Sequence, residues 1–365
     1  MRQCAFLQLK RGNKVNASTE KERHFTDSES DNQTHSGESL SKPTVSVVIP
    51  AYNAEATIVR ALDSVYAQTY DNIIEVIVVD DGSRDGTVEA VKTVYPQVIL
   101  VQQENSGNAA ARNTGVYRAS GQLIAFLDAD DEWLPDKLLV QVEALRRHPG
   151  LSLVTCQFNI VANDGYPGYR ENIASTGYNA PSVTMSTFRD WAFRSSPHTR
   201  FSGCSGWLFK RDMYITVGGL CESLHRSPDW EFLLRITGQG HTVGVVPGQL
   251  VRYYVRHNSV SNSPKGRLEI ANIVIDIIKN YDPARDSWEG DMLTNTEYNE
   301  CLSRLYFGYG WVFFELGEYE QARGYLRAAS KLSDSTGTQA IRKRLAAWSP
   351  RLYRILSKLR RLVLA

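Results

Sequence analysis

The chain has 365 residues and a formal net charge of +1, which gives no general attraction to nucleic acid. Its 42% hydrophobic and 22% charged residues are typical of a globular protein. Five scattered cysteines form no CxxC pair, which argues against a zinc site or a disulfide scaffold and fits a reducing cytosol.

Three regions differ in composition. Residues 1–43 are polar and without periodicity, so we expect a disordered extension. Residues 44–262 alternate apolar runs with helical patterns, which predicts an open, mostly parallel α/β sheet flanked by helices. Residues 263–365 are predicted to form a helical C-terminal region. We expect neither a signal peptide nor a spanning helix, because no apolar run is long enough. The predicted location is therefore cytoplasmic.

The predicted elements of the sheet domain follow one another in regular alternation. Pro50 is expected to stop the first strand, and Asn53 can cap the helix that follows. Asp85-Gly86-Thr87 is expected to open the second helix. The predicted strands lie at 45–49, 74–79, 98–101, 123–127 and 152–155, and the other helices at 54–67, 108–119 and 135–147.

Polar clusters follow three of these strands. Tyr52 and Asn53 come after the first strand, Asp80-Asp81 after the second, and the acidic run Asp128–Asp131 after the fourth. Ligands of open α/β sheets bind at the carboxyl ends of strands. Carboxylates beside a buried strand favour Mg²⁺ or Mn²⁺ together with phosphate. An acidic turn without a ligand remains the alternative for the DxD pair alone.

Five segments in order resemble the family 2 glycosyltransferases of GT-A fold. The resemblance covers roughly residues 44–260 and implies a nucleotide-sugar-dependent, inverting transferase. The segments read VSVVIPAYNAE, VIVVDDGSRDGT, ENSGNAAARNTG, FLDADDEWLPDKL and SPDWEFLLRI.

The resemblance implies a nucleotide-sugar site. Tyr52 can stack on a pyrimidine, and Asp81 can accept the N3 hydrogen of uracil, which favours UDP and leaves dTDP open. A strand-to-helix turn is the alternative at 80–86, and an exposed helix charge is the alternative for Arg112. The implied residues are Pro50, Tyr52, Asn53, Glu55, Asp81, Gly107, Arg112 and Asp128.

The resemblance also implies a metal site and a base. Asp130 is expected to bind Mn²⁺ or Mg²⁺, with Asp128 on the ribose or a metal-bound water. Asp131 is expected to support the loop, with metal contact as a further possibility. Asp229 aligns with the catalytic carboxylate, although Pro228 stands where the family commonly has Glu. A capping role is the alternative for Asp229.

Other residues have weaker implied roles. Arg256 or His257 could meet the diphosphate or the metal in a closing segment. Gly218-Gly219-Leu220 resembles an acceptor-side loop. Trp207, Trp230 and His225 could line a sugar pocket. A position in the core is the alternative for Trp207.

The C-terminal region carries two further patterns. Residues 306–332 resemble one tetratricopeptide-type hairpin, which would pack on the catalytic domain or on a partner. Residues 341–365 are basic and amphipathic, so they could lie on an anionic membrane surface or pack as a solvated helix. We therefore predict sugar transfer to a glycan or lipid-linked acceptor, peripheral to the membrane. The alternative is a non-catalytic nucleotide-binding scaffold; the sugar, acceptor and oligomeric state stay open.

Overall fold

The computed structural model describes residues 42–162, 203–224, 228–255, 295–332 and residue 349. Eight strands in this part of the chain form one mixed sheet in the order β3-β2-β1-β4-β7-β6-β8-β5. The strands are β1 (Val45–Ala51), β2 (Ile73–Asp80), β3 (Ile99–Gln102), β4 (Leu123–Phe126), β5 (Glu132–Trp133), β6 (Leu151–Ala162), β7 (Leu208–Lys210) and β8 (Thr242–Val255).

The parallel half of the sheet determines where a ligand can bind. β1 pairs in parallel with β2 on one side and with β4 on the other, and β2 pairs in parallel with β3. The chain order reverses between β1 and β4, which is the switch point at which open α/β sheets bind ligands. The expected α/β sheet flanked by helices is confirmed.

Helices cover both faces of this sheet. Alternate side chains of β1 point to opposite faces, so Val47 belongs to one buried apolar cluster and Val48 to the other. The helices are α1 (Ile58–Tyr66), α2 (Thr87–Val94), α3 (Asn108–Arg118), α4 (Lys137–Arg147), α5 (Arg211–Thr216), α6 (Pro228–Gly238), α7 (Asn295–Glu315) and α8 (Tyr319–Leu332).

α3 packs unusually closely on β1. A Cβ atom at Gly115 would lie 2.3 Å from the Cγ1 atom of Val48. The helix can therefore approach the strand only because this position lacks a side chain. Gly115 therefore has a packing role, and the close approach fixes the depth of the helix that carries Arg112.

Some predicted boundaries are wrong at the site edge. Pro50 does not stop β1, because the strand continues to Ala51 and Pro50 is paired with Val79. Asn53 does not cap α1, which begins only at Ile58 after a turn. Its backbone has a φ of 48°, and its side chain accepts a hydrogen bond from a different loop, as described below.

β6 is much longer than the predicted strand at 152–155. It pairs in parallel with β8 from Leu151 to Ala162. The paired residues are about 90 positions apart along the chain, so local periodicity could not reveal the pairing.

The C-terminal helices α7 and α8 pack on the sheet domain. Leu302, Tyr306 and Ala329 belong to the same buried cluster as Phe232 of α6. The rings of Phe313 and Tyr325 stack at 4.9 Å and hold the two helices together. Of the two expected positions for this hairpin, these contacts thus agree with packing on the sheet domain.

Several expectations concern segments outside the described residues or depend on them. Residues 1–41 and all but one residue of the predicted tail at 341–365 lie outside. In the described part, no helix is long and apolar enough to cross a membrane. Cys156 and Cys204 are free and buried.

A lysine lies inside the fold at the start of α4. Lys137 is fully buried, its Nζ atom donates to Oε1 of Gln141 at 2.8 Å, and it lies 4.1 Å from the ring centroid of Trp133. Burial lowers the pKa of Lys137 to about 7, whereas an unfolded lysine titrates near ~10.4. Between these values only the unfolded state binds the proton, so stability rises with pH by about 1.4 kcal/mol per unit.

We expect the wild-type protein to gain stability over Lys137→Met as the pH rises from about 7 to about 9. The variant has no such proton to bind when it unfolds, so its own stability lacks this slope. Thermal unfolding of both proteins across this range measures the difference. A constant gap between the two midpoints would contradict a lowered lysine pKa.

Candidate active site

Two loops at the carboxyl ends of β1 and β2 are joined by hydrogen bonds. The backbone N–H of Asn53 donates to Oγ of Ser83 at 2.9 Å, and its Oδ1 accepts from the N–H of Arg84 at 2.9 Å. Glu55 accepts from the N–H of Gly86 at 3.1 Å. The two loops therefore form one unit, and the predicted residues Asn53 and Glu55 are part of the connection.

Asp81 occupies the centre of this unit. Its side chain is 3% exposed and accepts from Nε2 of Gln103 at 2.8 Å and from the N–H groups of Ser106 at 2.9 Å and Gly107 at 2.8 Å. The carboxylate thus connects β2 to the start of α3. A carboxylate offers about four acceptor positions, so these donors leave capacity for one more.

These contacts also use the amides of Ser106 and Gly107, just before α3. Amides at the start of a helix are commonly available to a phosphate group. In the structure, both amides donate to Asp81 instead. Gly107 consequently lies against Asp81, which is predicted to contact the nucleotide, and immediately precedes α3.

Tyr52 has an exposed ring at the same edge. The residue is 49% exposed although it directly follows a fully buried strand. An exposed aromatic ring in this position can offer a flat face to a base. Pro50 lies inside β1 and is buried, so its side chain contributes to the strand beneath this surface.

Arg112 and Asp128 form a buried ion pair. The Nη2 atom of Arg112 contacts Oδ1 of Asp128, and Arg112 is 4% exposed. Burial lowers the pKa of Arg112, but the charge of Asp128, its hydrogen bond and other neighbouring groups including Asp229 together outweigh burial, so the pKa is raised. The Nε atom of Arg112 is buried with no hydrogen-bond partner among the described residues. Arg112 therefore holds one oxygen of Asp128, and it is not the exposed helix charge considered as an alternative.

Asp131 lies beneath the acidic loop. Its Oδ2 accepts from Oγ of Ser205 at 2.6 Å, and the same Oγ accepts from the backbone N–H of Asp128 at 3.0 Å. Burial raises the pKa of Asp131 well above its ordinary value, and the charges of Asp128 and Asp130 raise it further. The position and contacts of Asp131 suit support of the loop better than metal binding.

Asp130 lies at the surface side of the loop. Its backbone carbonyl accepts from Nη2 of Arg60 at 2.8 Å, and this guanidinium stacks on the ring of Tyr254 at 3.8 Å. Tyr254 in turn donates to Oε2 of Glu132 at 2.8 Å. The end of β8 is therefore connected to the acidic loop immediately before the predicted closing segment.

The acidic loop fits a divalent cation only together with a ligand. Among the described residues, no three His, Cys, Asp or Glu side chains form a group that could hold a metal. Mg²⁺ sites commonly use one or two carboxylates and complete their coordination with phosphate oxygens and water. Asp128 and Asp130 match that donor set, so a resident protein-only metal site is not expected.

Asp229 lies in the first turn of α6. It is the second residue of the helix, after Pro228, and so it does not occupy the cap position considered as the alternative. Desolvation raises the pKa of Asp229, while the backbone N–H of Trp230 and the charge of Arg112 lower it. Asp128 also acts on it electrostatically. Asp128, Arg112 and Asp229 thus share one charged centre at the carboxyl edge of the sheet.

The aromatic residues predicted near a sugar lie in different places. Trp207 is fully buried, and its ring packs on Phe126 and Phe232. It belongs to the core, so the sugar-pocket expectation is wrong for this residue. Trp230 is partly buried against the same cluster. His225, Arg256 and His257 lie outside the described residues.

Several site residues were not predicted. Ser205 and Arg60 hold the acidic loop, and Asn113 and Arg235 hold the loop that follows α5. Ser205 and Arg60 come from distant parts of the chain and leave no local pattern. Arg235 follows Glu231 at a spacing of four residues, which is a readable helical ion-pair signal.

Comparison with known proteins gives a consistent family assignment. The family model described as "Glycosyl transferase family 2" matches residues 46–218. An uncharacterized glycosyltransferase of Nostoc sp. is 40% identical over 181 residues, which are 47% of this chain and 52% of that protein. The Escherichia coli protein named UDP-Glc:alpha-D-GlcNAc-diphosphoundecaprenol beta-1,3-glucosyltransferase WfgD is 39% identical over 126 residues, 34% of this chain and 49% of that protein.

Solved structures with a similar fold cover more of the chain. TarS 1–349 of S. aureus in complex with UDP has a TM-score of 0.55 at 19% identity, covering 80% of this chain and 83% of that chain. The mannosyltransferase PcManGT of Pyrobaculum calidifontis, in complex with GDP-Man and Mn²⁺, has a TM-score of 0.54 at 22% identity, covering 87% and 84%. At these identities the likeness shows the fold alone. The chain spans about half the length of the curated relatives named above.

Proposed function

Because residues 46–218 belong to glycosyl transferase family 2, we propose that the chain is an inverting glycosyltransferase. It moves a sugar from a nucleotide-sugar to a hydroxyl group of a glycan or lipid-linked saccharide. One observation carries this proposal: the shared charged centre of Asp128, Arg112 and Asp229 lies at the same sheet edge as the joined loops around Asp81. Donor, metal and base positions are therefore available side by side.

The residues suit a single displacement at the anomeric carbon. Asp229 accepts the proton of the acceptor hydroxyl as its oxygen forms the new C–O bond. The bond to the nucleoside diphosphate breaks at the same carbon, and the diphosphate leaves with the bonding electrons. An α-linked donor thus gives a β-linked product. The raised pKa of Asp229 makes it a stronger base than an ordinary aspartate.

The donor side favours a uridine nucleotide. Asp81 keeps acceptor capacity for an N3–H group beside the exposed ring of Tyr52. The similar glucosyltransferase of E. coli is named for UDP-Glc, which supports this choice. Asp130 and Asp128 would hold a divalent Mn²⁺ or Mg²⁺ ion together with the donor, and such an ion would neutralise charge on the diphosphate. The ion pair with Arg112 fixes Asp128 in place for that contact.

Replacing Tyr52 tests the base-stacking role. We expect Tyr52→Ala to weaken UDP binding by about 5–150-fold, because base–aromatic stacking contributes about 1–3 kcal/mol. Tyr52→Phe keeps the ring and should bind UDP like the wild type. Calorimetric titration of UDP into the three proteins measures the effect. Equal affinities for all three would exclude Tyr52 from the base site.

The acceptor side fits a lipid-linked saccharide. The name of the E. coli relative specifies an undecaprenol-linked acceptor. The basic, amphipathic pattern of residues 341–365 suits attachment to an anionic membrane surface. We therefore place the protein at the cytoplasmic face of a membrane in this proposal, in contact with a lipid-linked glycan.

A donor panel tests the function and its alternative. Purified protein with Mn²⁺ is offered several UDP-, GDP- and dTDP-sugars, with and without saccharide acceptors, and nucleotide release is measured. A transferase releases nucleotide from one donor and faster with an acceptor. A non-catalytic scaffold would bind a nucleotide but release none from any nucleotide-sugar.

A further inference from the structure

We infer that Asn113 and Arg235 are positioning residues for the proposed reaction. They hold the loop 217–222 between α3, which carries Arg112, and α6, which carries Asp229. Through this loop they set the position of Asp229 relative to the donor site. The inference rests on the proposed function and extends it to two side chains outside the donor and base positions.

Arg235 fixes the loop to the helix of Asp229. Its Nη1 donates to the carbonyl oxygen of Val217 at 2.5 Å and its Nη2 to that of Gly219 at 2.5 Å. Its Nε donates to Oε1 of Glu231 at 2.7 Å, and both side chains of this ion pair are buried. The planar guanidinium thus directs several of its donors at once, which a lysine cannot reproduce.

Asn113 fixes the same loop to the helix of Arg112. Its Nδ2 donates to the carbonyl oxygen of Leu220 at 2.9 Å and to Oε1 of Glu222 at 2.8 Å. Its Oδ1 accepts from the N–H of Leu220 at 2.9 Å and from the hydroxyl of Tyr214 at 2.6 Å. The amide is buried and uses both of its ends.

The fit between loop and helices is tight at Gly219. This residue has a φ of 70°, and a Cβ atom there would lie 2.7 Å from Oδ1 of Asn113. The loop can therefore pass between the two anchors only with glycine at this position. A small shift of the side chain of Asn113 or Arg235 would therefore displace the whole loop.

Both anchors lie close to functional side chains. Asn113 directly follows Arg112, and Arg235 lies about 9 Å along the axis of α6 from Asp229. Arg112 and Asp229 interact electrostatically, so their separation is part of the site. A displacement of about 1 Å in a reacting group can cost about 100-fold in rate. The same contacts could alternatively serve only to stabilise the end of α5.

A positioning role and a purely stabilising role predict different effects of substitutions at Arg235 and Asn113 on kcat and on UDP affinity. Arg235→Lys keeps the charge but loses the forked donor, and Asn113→Asp keeps the acceptor oxygens but loses the Nδ2 donor. For positioning residues we expect kcat for transfer to the acceptor to fall about 10–100-fold in each variant. The dissociation constant for UDP should stay within about twofold, because no donor contact is removed.

A matched variant controls for loss of a helical ion pair. Glu143 and Arg147 have the same spacing of four residues in α4 and lie at the surface. Arg147→Lys should therefore leave kcat, the acceptor KM and UDP affinity unchanged. Thermal unfolding of every variant shows whether a variant with a reduced rate is still folded.

The outcomes separate the inference from the proposed function. Variants that keep wild-type kcat overturn the inference, and so do variants that lose UDP affinity in parallel with kcat, since that pattern indicates a general loss of structure. A wild-type protein that binds UDP but transfers no sugar instead contradicts the proposed function. A kcat in Arg235→Lys as low as in Arg235→Met would support positioning by the fork, because both variants lack it.

Discussion

Asp229→Asn is expected to lower kcat for sugar transfer by about 100–10,000-fold, the usual contribution of a general base. The amide has nearly the same shape but cannot accept the hydroxyl proton. UDP affinity should change by less than about twofold, because Asp229 faces the acceptor rather than the nucleotide in the proposed mechanism. Steady-state transfer assays and calorimetric UDP titration measure the two quantities on the same preparation.

Asp212→Asn is the matched control for this substitution. Asp212 is also the second residue of a helix, α5, but it is exposed. If loss of a first-turn carboxylate were the cause, both variants would lose stability and activity alike. Wild-type turnover in Asp229→Asn would remove Asp229 from the base position.

The pH dependence of the wild type gives an independent check on the same residue. Desolvation raises the pKa of Asp229, and only the ionised form can accept a proton. The rate should therefore fall as the pH drops through a value above the ~3.9 of an ordinary aspartate. This fall in rate on the acid side of the pH profile should be absent from the residual activity of Asp229→Asn. An acid limb at the ordinary value would indicate that Asp229 is solvated in the free enzyme.

The sequence predicted the site best where polar residues directly follow an apolar run that forms a strand. β1 and β4 are short apolar runs that end in polar residues, and this pattern located the edge with Tyr52, Asp81 and Asp128. Parallel pairing brings strand ends to one edge whatever the loops do. Their common location was therefore predictable without knowledge of any contact.

The contacts within the site were not predictable in the same way. The hydrogen bonds of Asp81 use backbone N–H groups of Ser106 and Gly107, which carry no side-chain signal. The ion pair of Arg112 and Asp128 depends on the depth of α3, which is set by the close approach at Gly115. Such features depend on packing between elements, so periodicity along one element does not reveal them.

The burial of Trp207 is another feature that the sequence alone could not predict. An aromatic residue near a predicted acceptor loop is compatible with a sugar platform or with a core. Its ring packs between Phe126 and Phe232, which belong to β4 and α6. Neither neighbour is close to it in sequence. The choice between the two roles therefore required the tertiary structure.

Asp130→Asn is expected to lower kcat by about 1,000-fold, because the metal contribution to a developing negative charge amounts to several kcal/mol. The substitution removes one of the carboxylates available to Mn²⁺ or Mg²⁺ beside the diphosphate. The concentration of Mn²⁺ that gives half-maximal UDP affinity should rise in the variant. Calorimetric titrations of UDP at several Mn²⁺ concentrations measure this shift without relying on turnover.

Asp136→Asn provides the control for Asp130→Asn. Asp136 is an exposed aspartate a short distance along the chain, and it accepts a hydrogen bond from Thr69 at 2.9 Å. Its replacement should alter neither transfer nor the Mn²⁺ dependence. Chelation by EDTA should reduce wild-type turnover to the level of Asp130→Asn, and added Mn²⁺ should restore it. Unchanged Mn²⁺ dependence in Asp130→Asn would mean that the acidic loop acts through Asp128 alone or binds no metal. In that case the charge of the leaving diphosphate would have to be balanced by cationic side chains of the protein.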